Sequence, residues 1–550
     1  MAVVAGGLSA GLAWADAGLP DRAPVKPAIP KSVPPSAKLP AGRLPQVASS
    51  GRASAAAAAG TVTPRFDVDK DGVSDVLVRT LDDSLYVKGW KDDKTALYTS
   101  DKTAFKDLIE PGDIDGDGAP ELLTLSASGT LTLTPSKWGA KGWSEGGWNI
   151  YNKVFVPGDM NGDGRNDLMA RGPSGELYLF LGTGNTELPY LPRTQVGRSW
   201  NAFDQLVGAG DLNGDGYGDI VARTPGGDLW LYAGTGQAAS PLKQPVKMAT
   251  GWGGYNQILA VDDSTGHVDL LARDIAGSLW LYPTDGKGGL GARVQLGTGW
   301  QGTTLGNAGG NPVFGKNELI GRDAAGTLSY YLPQGDGQFA SPLPIDGDMS
   351  SIPLEKLSSA SSLNNASRWS SMTMVRADGH LLVDGDDVGG GWNTMNAFAG
   401  IGDVNNDGNG DLLARDTGGR LYLYPGNGSH GFGNRTDLGG GWNAFTALIG
   451  AGDVTGDGLP DLLARDGSSG HLFLYPGNGR GGFGDRVDIG PGWNTFSMLA
   501  APGDLNGDGR TDLIGVDSAG TAWRYDADGL GNFKARVTLG GGWNTFKALY

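Results

Sequence analysis

The chain has no cysteine, so neither a disulfide framework nor a thiolate-bound metal is open to it. Histidine is nearly as scarce. His267, His380, His430 and His471 are scattered, without the spacing that imidazole metal sites need. Positive charge is short as well: 60 Asp and Glu stand against 43 Lys and Arg, a formal charge of −17, which argues against nucleic acid or an anionic membrane as partner. No stretch beyond the N-terminal segment is long and apolar enough to span a bilayer. After Gly60 none keeps a 3.6-residue apolar period, so helices are expected to be few.

Glycine is what the chain has in excess, 96 residues beside 30 prolines, and it recurs at a fixed period that marks turns between ordered elements rather than disorder. The N-terminus reads differently. Residues Ala2 to Ala15 are small and apolar, and Ala15-Asp16-Ala17 has the form of a signal-peptidase site, without a basic flank before it. Residues 1–17 are therefore expected to be a signal peptide with its start cut short, and the protein to be secreted. Residues 18–60, rich in Pro, Ala and Ser, read as a linker.

From residue 61 to 550 one pattern recurs: Gly-Trp-Asn, an apolar stretch, Gly-Asp, an acidic glycine loop, Asp-Leu-Leu-Ala-Arg-Asp, Leu-Tyr-Leu-Tyr-Pro-Gly, then Phe-Gly-x-Arg. The cleanest copy runs from Trp442 to Arg486, and degenerate units lie near Asp263, Asn311 and Ser361 to Arg376. About ten units of near 50 residues result. Each reads as four short strands, with Leu421 to Tyr424 and Asp461 to Arg465 as clear examples. The expected fold is all-β, a β-propeller of about ten four-stranded blades. The first unit lacks a Trp-Asn strand and the chain ends with one alone, Gly542 to Tyr550. Two arrangements fit: one ring in which that strand completes the first blade, or two smaller propellers with a junction between about Asn307 and Asp387.

Seven units carry an acidic loop with oxygen side chains at positions 1, 3, 5 and 9, Gly at position 6, and a main-chain carbonyl expected from position 7. They are Asp67, Asp69, Asp71, Val73 and Asp75; Asp113, Asp115, Asp117, Ala119 and Glu121; and Asp159, Asn161, Asp163, Arg165 and Asp167. The fourth holds Asp211, Asn213, Asp215, Tyr217 and Asp219, and the fifth Asp403, Asn405, Asp407, Asn409 and Asp411. Asp453, Thr455, Asp457, Leu459 and Asp461, then Asp504, Asn506, Asp508, Arg510 and Asp512, complete the set. Hard oxygen ligands around a glycine turn suit Ca²⁺ better than Mg²⁺, which demands stricter octahedral geometry. An Asp-Gly hairpin turn alone needs none of the other oxygens. Seven such ions, mainly structural, would bring the formal charge close to neutrality. The shortened loop at Asp263 and the one at Asn311 are expected to fold without metal.

At these loops, and at the Asp-Leu-Leu-x-Arg strand that follows, the sequence resembles the FG-GAP/VCBS-type repeat family, which includes the integrin α-head and calcium-containing lectin-like propellers. The Phe-Gly of the family name stands at Phe432-Gly433 and Phe483-Gly484. The resemblance implies a propeller with structural calcium and work in adhesion or recognition, without fixing a ligand.

The tryptophans Trp148, Trp200, Trp392, Trp442, Trp493 and Trp543 suit packing between blades better than sugar stacking, because they recur at one place in every unit. The arginines Arg79, Arg171, Arg223, Arg273, Arg415 and Arg465 are expected to form structural ion pairs. Ligand contacts are expected from outer loops such as Asn427 to Gly431 and Asn478 to Gly481. Gly7-Leu8-Ser9-Ala10-Gly11 lacks the strand and helix of a nucleophile elbow, and no catalytic residues are assigned. The function expected is non-catalytic recognition of a glycan or another extracellular ligand. A polysaccharide-active hydrolase or lyase and a protein-interaction scaffold are the alternatives.

Overall fold

Runs such as Asp461–Asp466, whose first four residues are buried, form the second strand of each unit, and amphipathic runs such as Leu472–Tyr475 form the third. The computed structural model describes residues 63–550 apart from 81–83, 91–94, 100–104, 137–139, 311, 313–317, 346–348 and 366–368. The expected signal peptide and linker lie outside the described residues. The strands assemble into ten four-stranded antiparallel sheets. Between them stand one-turn 3₁₀ segments such as Trp442–Ala444, and among the described residues no helix is long and apolar enough to cross a membrane.

Eight sheets use four strands consecutive in the chain. Two do not. The first, Val76–Arg79, Leu85–Lys88 and Thr95–Thr99, takes its fourth strand from Thr304–Leu305, paired through Val78↔Leu305 and Arg79↔Thr304. The sixth, Leu319–Asp323, Leu328–Tyr331 and Leu343–Ile345, takes Phe546–Leu549, paired through Gly321↔Leu549 and Arg322↔Ala548. The C-terminal strand therefore completes the sixth sheet and not the first, which removes the single ring from the two expected arrangements. The break falls between Leu305 and Leu319, at the start of the stretch expected to hold a junction.

Apolar clusters follow the same division. Phe66, Leu77 and Leu108 join the first sheet to the second, Ile109 and Val154 the second to the third, and Leu179 and Leu206 the third to the fourth. Val207 and Ile258 join the fourth to the fifth, and Val76, Leu259 and Trp300 lead from the fifth back to the first. In the other set, Ile320 and Leu357 share a cluster, as do Val383 and Trp392, Leu423 and Trp442, and Leu474 and Trp493. Leu319, Ile514 and Trp543 lead from the tenth sheet back to the sixth. Two cyclic sets of five sheets result.

Two devices recur between neighbouring sheets. The main-chain N–H of Trp442 donates to the carbonyl of Gly419, at φ +83 in the preceding sheet's hairpin turn, and Trp200, Trp252, Trp493 and Trp543 do likewise with Gly175, Gly227, Gly470 and Gly520. Meanwhile Arg415 Nη1 donates to the carbonyls of Trp442 at 2.9 Å and Phe445 at 2.8 Å, and Arg171, Arg223, Arg273 and Arg465 repeat the motif. The ion pairs expected of these arginines thus give way to forked bonds onto a neighbour's main chain; Arg223 adds a pair with Asp204 at 2.7 Å. Both bonds leave one guanidinium nitrogen, whose two protons reach two carbonyls that a 3₁₀ turn has already placed side by side. The tryptophans themselves are buried, from 3 % exposed at Trp252 to 9 % at Trp543, and pack on aromatic partners such as Tyr475, 4.9 Å from Trp442.

Candidate metal centre in the acidic loops

Six of the seven acidic loops join the leading strand of a sheet to its second strand. The first instead runs into Val76–Arg79, whose leading strand is Thr304–Leu305. In all of them the loop's own carboxylates fold it. In the first loop Asp67 accepts N–H bonds from Asp71 at 3.0 Å and Gly72 at 2.9 Å, and Asp71 accepts one from Val73 at 3.0 Å. Asp453, Asp457 and Leu459 repeat the arrangement. Gly72 and Gly458 at position 6 stand at φ +87 and +84, a backbone region that glycine enters without strain. Position 4 shares this geometry, which the sequence reading did not single out. It holds Gly116, Gly162, Gly214, Gly456 and Gly507 in five loops and Lys70 and Asn406 at φ +60 in the others. The recurring glycine one residue before the position-5 aspartate was the signal.

Position 9 is the deepest part of the loop. Asp167, Asp219, Asp411, Asp461 and Asp512 are fully buried. One oxygen of Asp461 accepts the N–H of Val454 at 2.9 Å and the other that of Gly477 at 2.9 Å, so this carboxylate fastens the loop to the end of the third strand. Asp167, Asp219 and Asp411 make the same two bonds. Without a cation, burial first and neighbouring loop carboxylates next push Asp75 and Asp219 up to about 7 and Asp411 to about 8, and raise Asp461 and Asp512 strongly.

The carboxylate oxygens of Asp67, Asp69 and Asp71 lie within 4.8 Å of one another, as do those of Asp113, Asp115 and Glu121. Like charges at that distance repel by about 3–4 kcal/mol per pair at an effective dielectric near 20. Asp75 Oδ1, at position 9 of the first loop, is buried with no hydrogen-bond partner among the described residues. Convergent oxygens and an unpartnered buried oxygen fit a hard divalent cation. In the other five loops position 3 is Asn or Thr. There Asn161 and Asn405 donate to the position-5 carboxylates at 3.1 and 2.8 Å and so relieve part of the repulsion.

The degenerate units depart as their sequences suggest. Asp263 Oδ1 caps its own short turn through the N–H of Thr265, and Asp269 pairs with His267 at 2.9 Å. Residues 311 and 313–317 lie outside the described residues, while Glu318 is buried and accepts the Ser370 N–H at 2.8 Å. The outer loops are tied down more than expected: the N–H of His430 donates to the Leu363 carbonyl and that of Gly481 to the Val404 carbonyl, each reaching over the preceding sheet's loop. Asn427, Ser429, Asn478 and Arg480 remain exposed on them.

The FG-GAP-like repeat family matches the chain at residues 159–222, 403–464 and 453–515, each match opening on the first aspartate of an acidic loop. Among curated proteins no relative matches. Of solved structures, a lectin of Agrocybe aegerita that recognises non-reducing terminal N-acetylglucosamine is similar at 14 % identity, covering 88 % of this chain and 92 % of that one, with a TM-score of 0.22. The BP39L lectin of Burkholderia pseudomallei is similar at 13 % identity, covering 80 % and 99 %, with a TM-score of 0.23. At these TM-scores neither superposes on the chain as a whole, and nothing of either is transferred.

Proposed function

We propose that this chain, which carries FG-GAP-like repeats, is a secreted calcium-binding protein whose sheets hold loops in place to recognise a glycan or another extracellular ligand, without catalysing a reaction. The observation that carries the calcium reading is the convergence of Asp67, Asp69 and Asp71 in a loop whose Asp75 also has a buried, unpartnered oxygen. Positions 1, 3 and 5 of each loop would hold the ion, with the carbonyl at position 7 and the carboxylate at position 9 available to complete an oxygen shell. The ion would supply charge neutralisation; the loop's own hydrogen bonds set the turn and aim the carboxylates. The recognition reading is supported by polar side chains exposed on short, fastened loops, among them Asn427, Ser429, Asn478 and Arg480.

Calorimetric titration of the full chain with calcium tests the first part. Uptake of about seven ions, reduced by one in Asp71→Asn, is the expected result, and no uptake overturns it. A glycan array probed in calcium and after chelation tests the second. A calcium-dependent glycan hit supports recognition, release of reducing sugar would replace it with the hydrolase reading, and a folded protein without hits would favour the scaffold.

A further inference from the structure

The seven loops are not equivalent in their surroundings. In the first set of sheets the tips of the loops are open: Gly116, Asp117, Gly162, Asp163, Gly214 and Asp215 are exposed. In the second set the corresponding Asn406, Gly456, Asp457, Gly507 and Asp508 are partly buried, with Asp407 exposed. They are covered by the first set of sheets. Asn152 Nδ2 donates to the carbonyl of Asp457 at 2.5 Å, Arg273 Nη2 to that of Gly507 at 2.9 Å, and Asn149 Nδ2 to that of Asn406. Arg510, at position 7 of its loop, pairs with Asp204.

Charge follows the same map. Lys106 acts on Asp403, Arg171 on Asp453 and Asp457, and Arg273 on Asp504, so a cation of the first set stands against each of the three loops of the second. The approach is close as well: a Cβ on Gly458 would lie 2.3 Å from that of Asn152, and one on Gly408 2.8 Å from the main chain of Ser128. A cavity of about 160 Å³ at this junction is lined by Asp403, Asp453, Asn152 and Thr511.

We infer that the loops at Asp403, Asp453 and Asp504 form a calcium-dependent joint between the two sets of sheets, whereas the four loops of the first set serve the first set only. The inference rests on the calcium reading above. The donors of the first set engage main-chain carbonyls at positions 4 and 5, and these carbonyls keep their aim only while the loop keeps its turn. A cation held by the loop offsets the repulsion among its three carboxylates and so steadies that turn. Calcium thereby favours docking, and docking must by linkage raise calcium affinity at the same three loops.

The test uses the full chain, with calcium uptake followed by calorimetry and overall dimensions by small-angle X-ray scattering. Chelation is expected to increase the radius of gyration. Asp457→Asn with Asp508→Asn should remove this response, and Asp163→Asn with Asp215→Asn should keep it. Asn149→Ala with Arg510→Ala leaves every loop carboxylate in place and is expected to weaken three of the seven sites by about tenfold, close to 1.4 kcal/mol each. Calcium uptake with unchanged dimensions, or an unaltered isotherm in the Asn149/Arg510 variant, overturns the joint and leaves the calcium reading standing. No uptake at any loop overturns both.

Discussion

The guanidinium of Arg415 reaches out of its own sheet to the main-chain carbonyl of Trp442, 2.9 Å away at the entrance to the next. The bond recurs from Arg171, Arg223, Arg273 and Arg465, whereas Leu125, Val375 and Val516 hold that position in three other sheets. Arg415 makes a second bond, to the Phe445 carbonyl, and accepts orientation from Asn396, whose Oδ1 takes the Nε proton at 2.8 Å.

Arg415→Ala is therefore expected to cost about 2–3 kcal/mol, because two carbonyls lose a charged donor at a half-buried interface. Arg415→Lys should restore little of it, since lysine has no second nitrogen for Asn396 to hold and so cannot keep its donor aimed at both carbonyls. Urea unfolding of both variants in calcium checks this, and a lysine that fully substitutes would show that charge alone matters.

Gly450 stands where two leading strands nearly touch. A Cβ there would lie 1.9 Å from the carbonyl oxygen of Gly400. Gly450→Ala must push the strands apart and is expected to lose about 3 kcal/mol or more. Gly146, with open space around it, should accept alanine within about 0.5 kcal/mol. Thermal unfolding of the pair separates a packing requirement from a general intolerance of alanine.

Removal of residues 541–550 strips Phe546–Leu549 from Leu319–Asp323 and bares a strand edge. Hydrogen exchange is expected to quicken at Leu319 to Tyr331 and in the sheets on either side, while Leu206 to Leu231, in the other set, keeps its protection. Equal loss in both sets would show that they fold as one unit.

Glu110, 3 % exposed on the strand Phe105–Gly112, is pushed up to about 8. Burial is the main cause; the N–H of Leu77 and the charge of Arg65 oppose it, and Asp262 and Asp75 add to it. Between its ordinary value near 4.5 and about 8 the folded chain holds a proton here that the unfolded chain has released. This group's contribution therefore weakens the fold as pH rises through that window. Glu110→Gln is expected to flatten the profile and to raise stability at about pH 9 relative to wild type. Urea unfolding across that range, with calcium present throughout, reads the difference, and parallel profiles would remove Glu110 as the cause.

The ten units and their four strands were legible because Gly-Trp-Asn, Asp-Leu-Leu-Ala-Arg and Leu-Tyr-Leu-Tyr recur with their own periodicities. The loop pattern was legible for the same reason, down to the glycine at position 6. The partner of the first sheet was not. Thr304–Leu305 is two residues long, and Trp300 is followed by Gln301 rather than Asn, so nothing local marks it as the fourth strand of a sheet that starts at Val76. The arginine fork was hidden differently: its acceptors are main-chain carbonyls, which every residue has, and the aspartate beside Arg415 drew the reading toward an ion pair. Asp416 instead caps its own turn, accepting the Arg420 N–H at 2.9 Å. The crowding around the three C-terminal loops depends on contacts more than 200 positions apart, such as Asn152 with Asp457, and no spacing encodes it.

The strand Thr304–Leu305 also imposes an order of events during synthesis. Its partners leave the ribosome roughly 200 residues earlier, some 10–40 s at ordinary elongation rates. For that interval the nascent first sheet carries an unpaired edge that four finished neighbours cannot cover, and the same wait recurs for Leu319–Asp323 until the last ten residues emerge. Growth is thus sequential but completion is not: each half locks in a single late step, and a chain arrested before that step is a ready partner for another arrested copy.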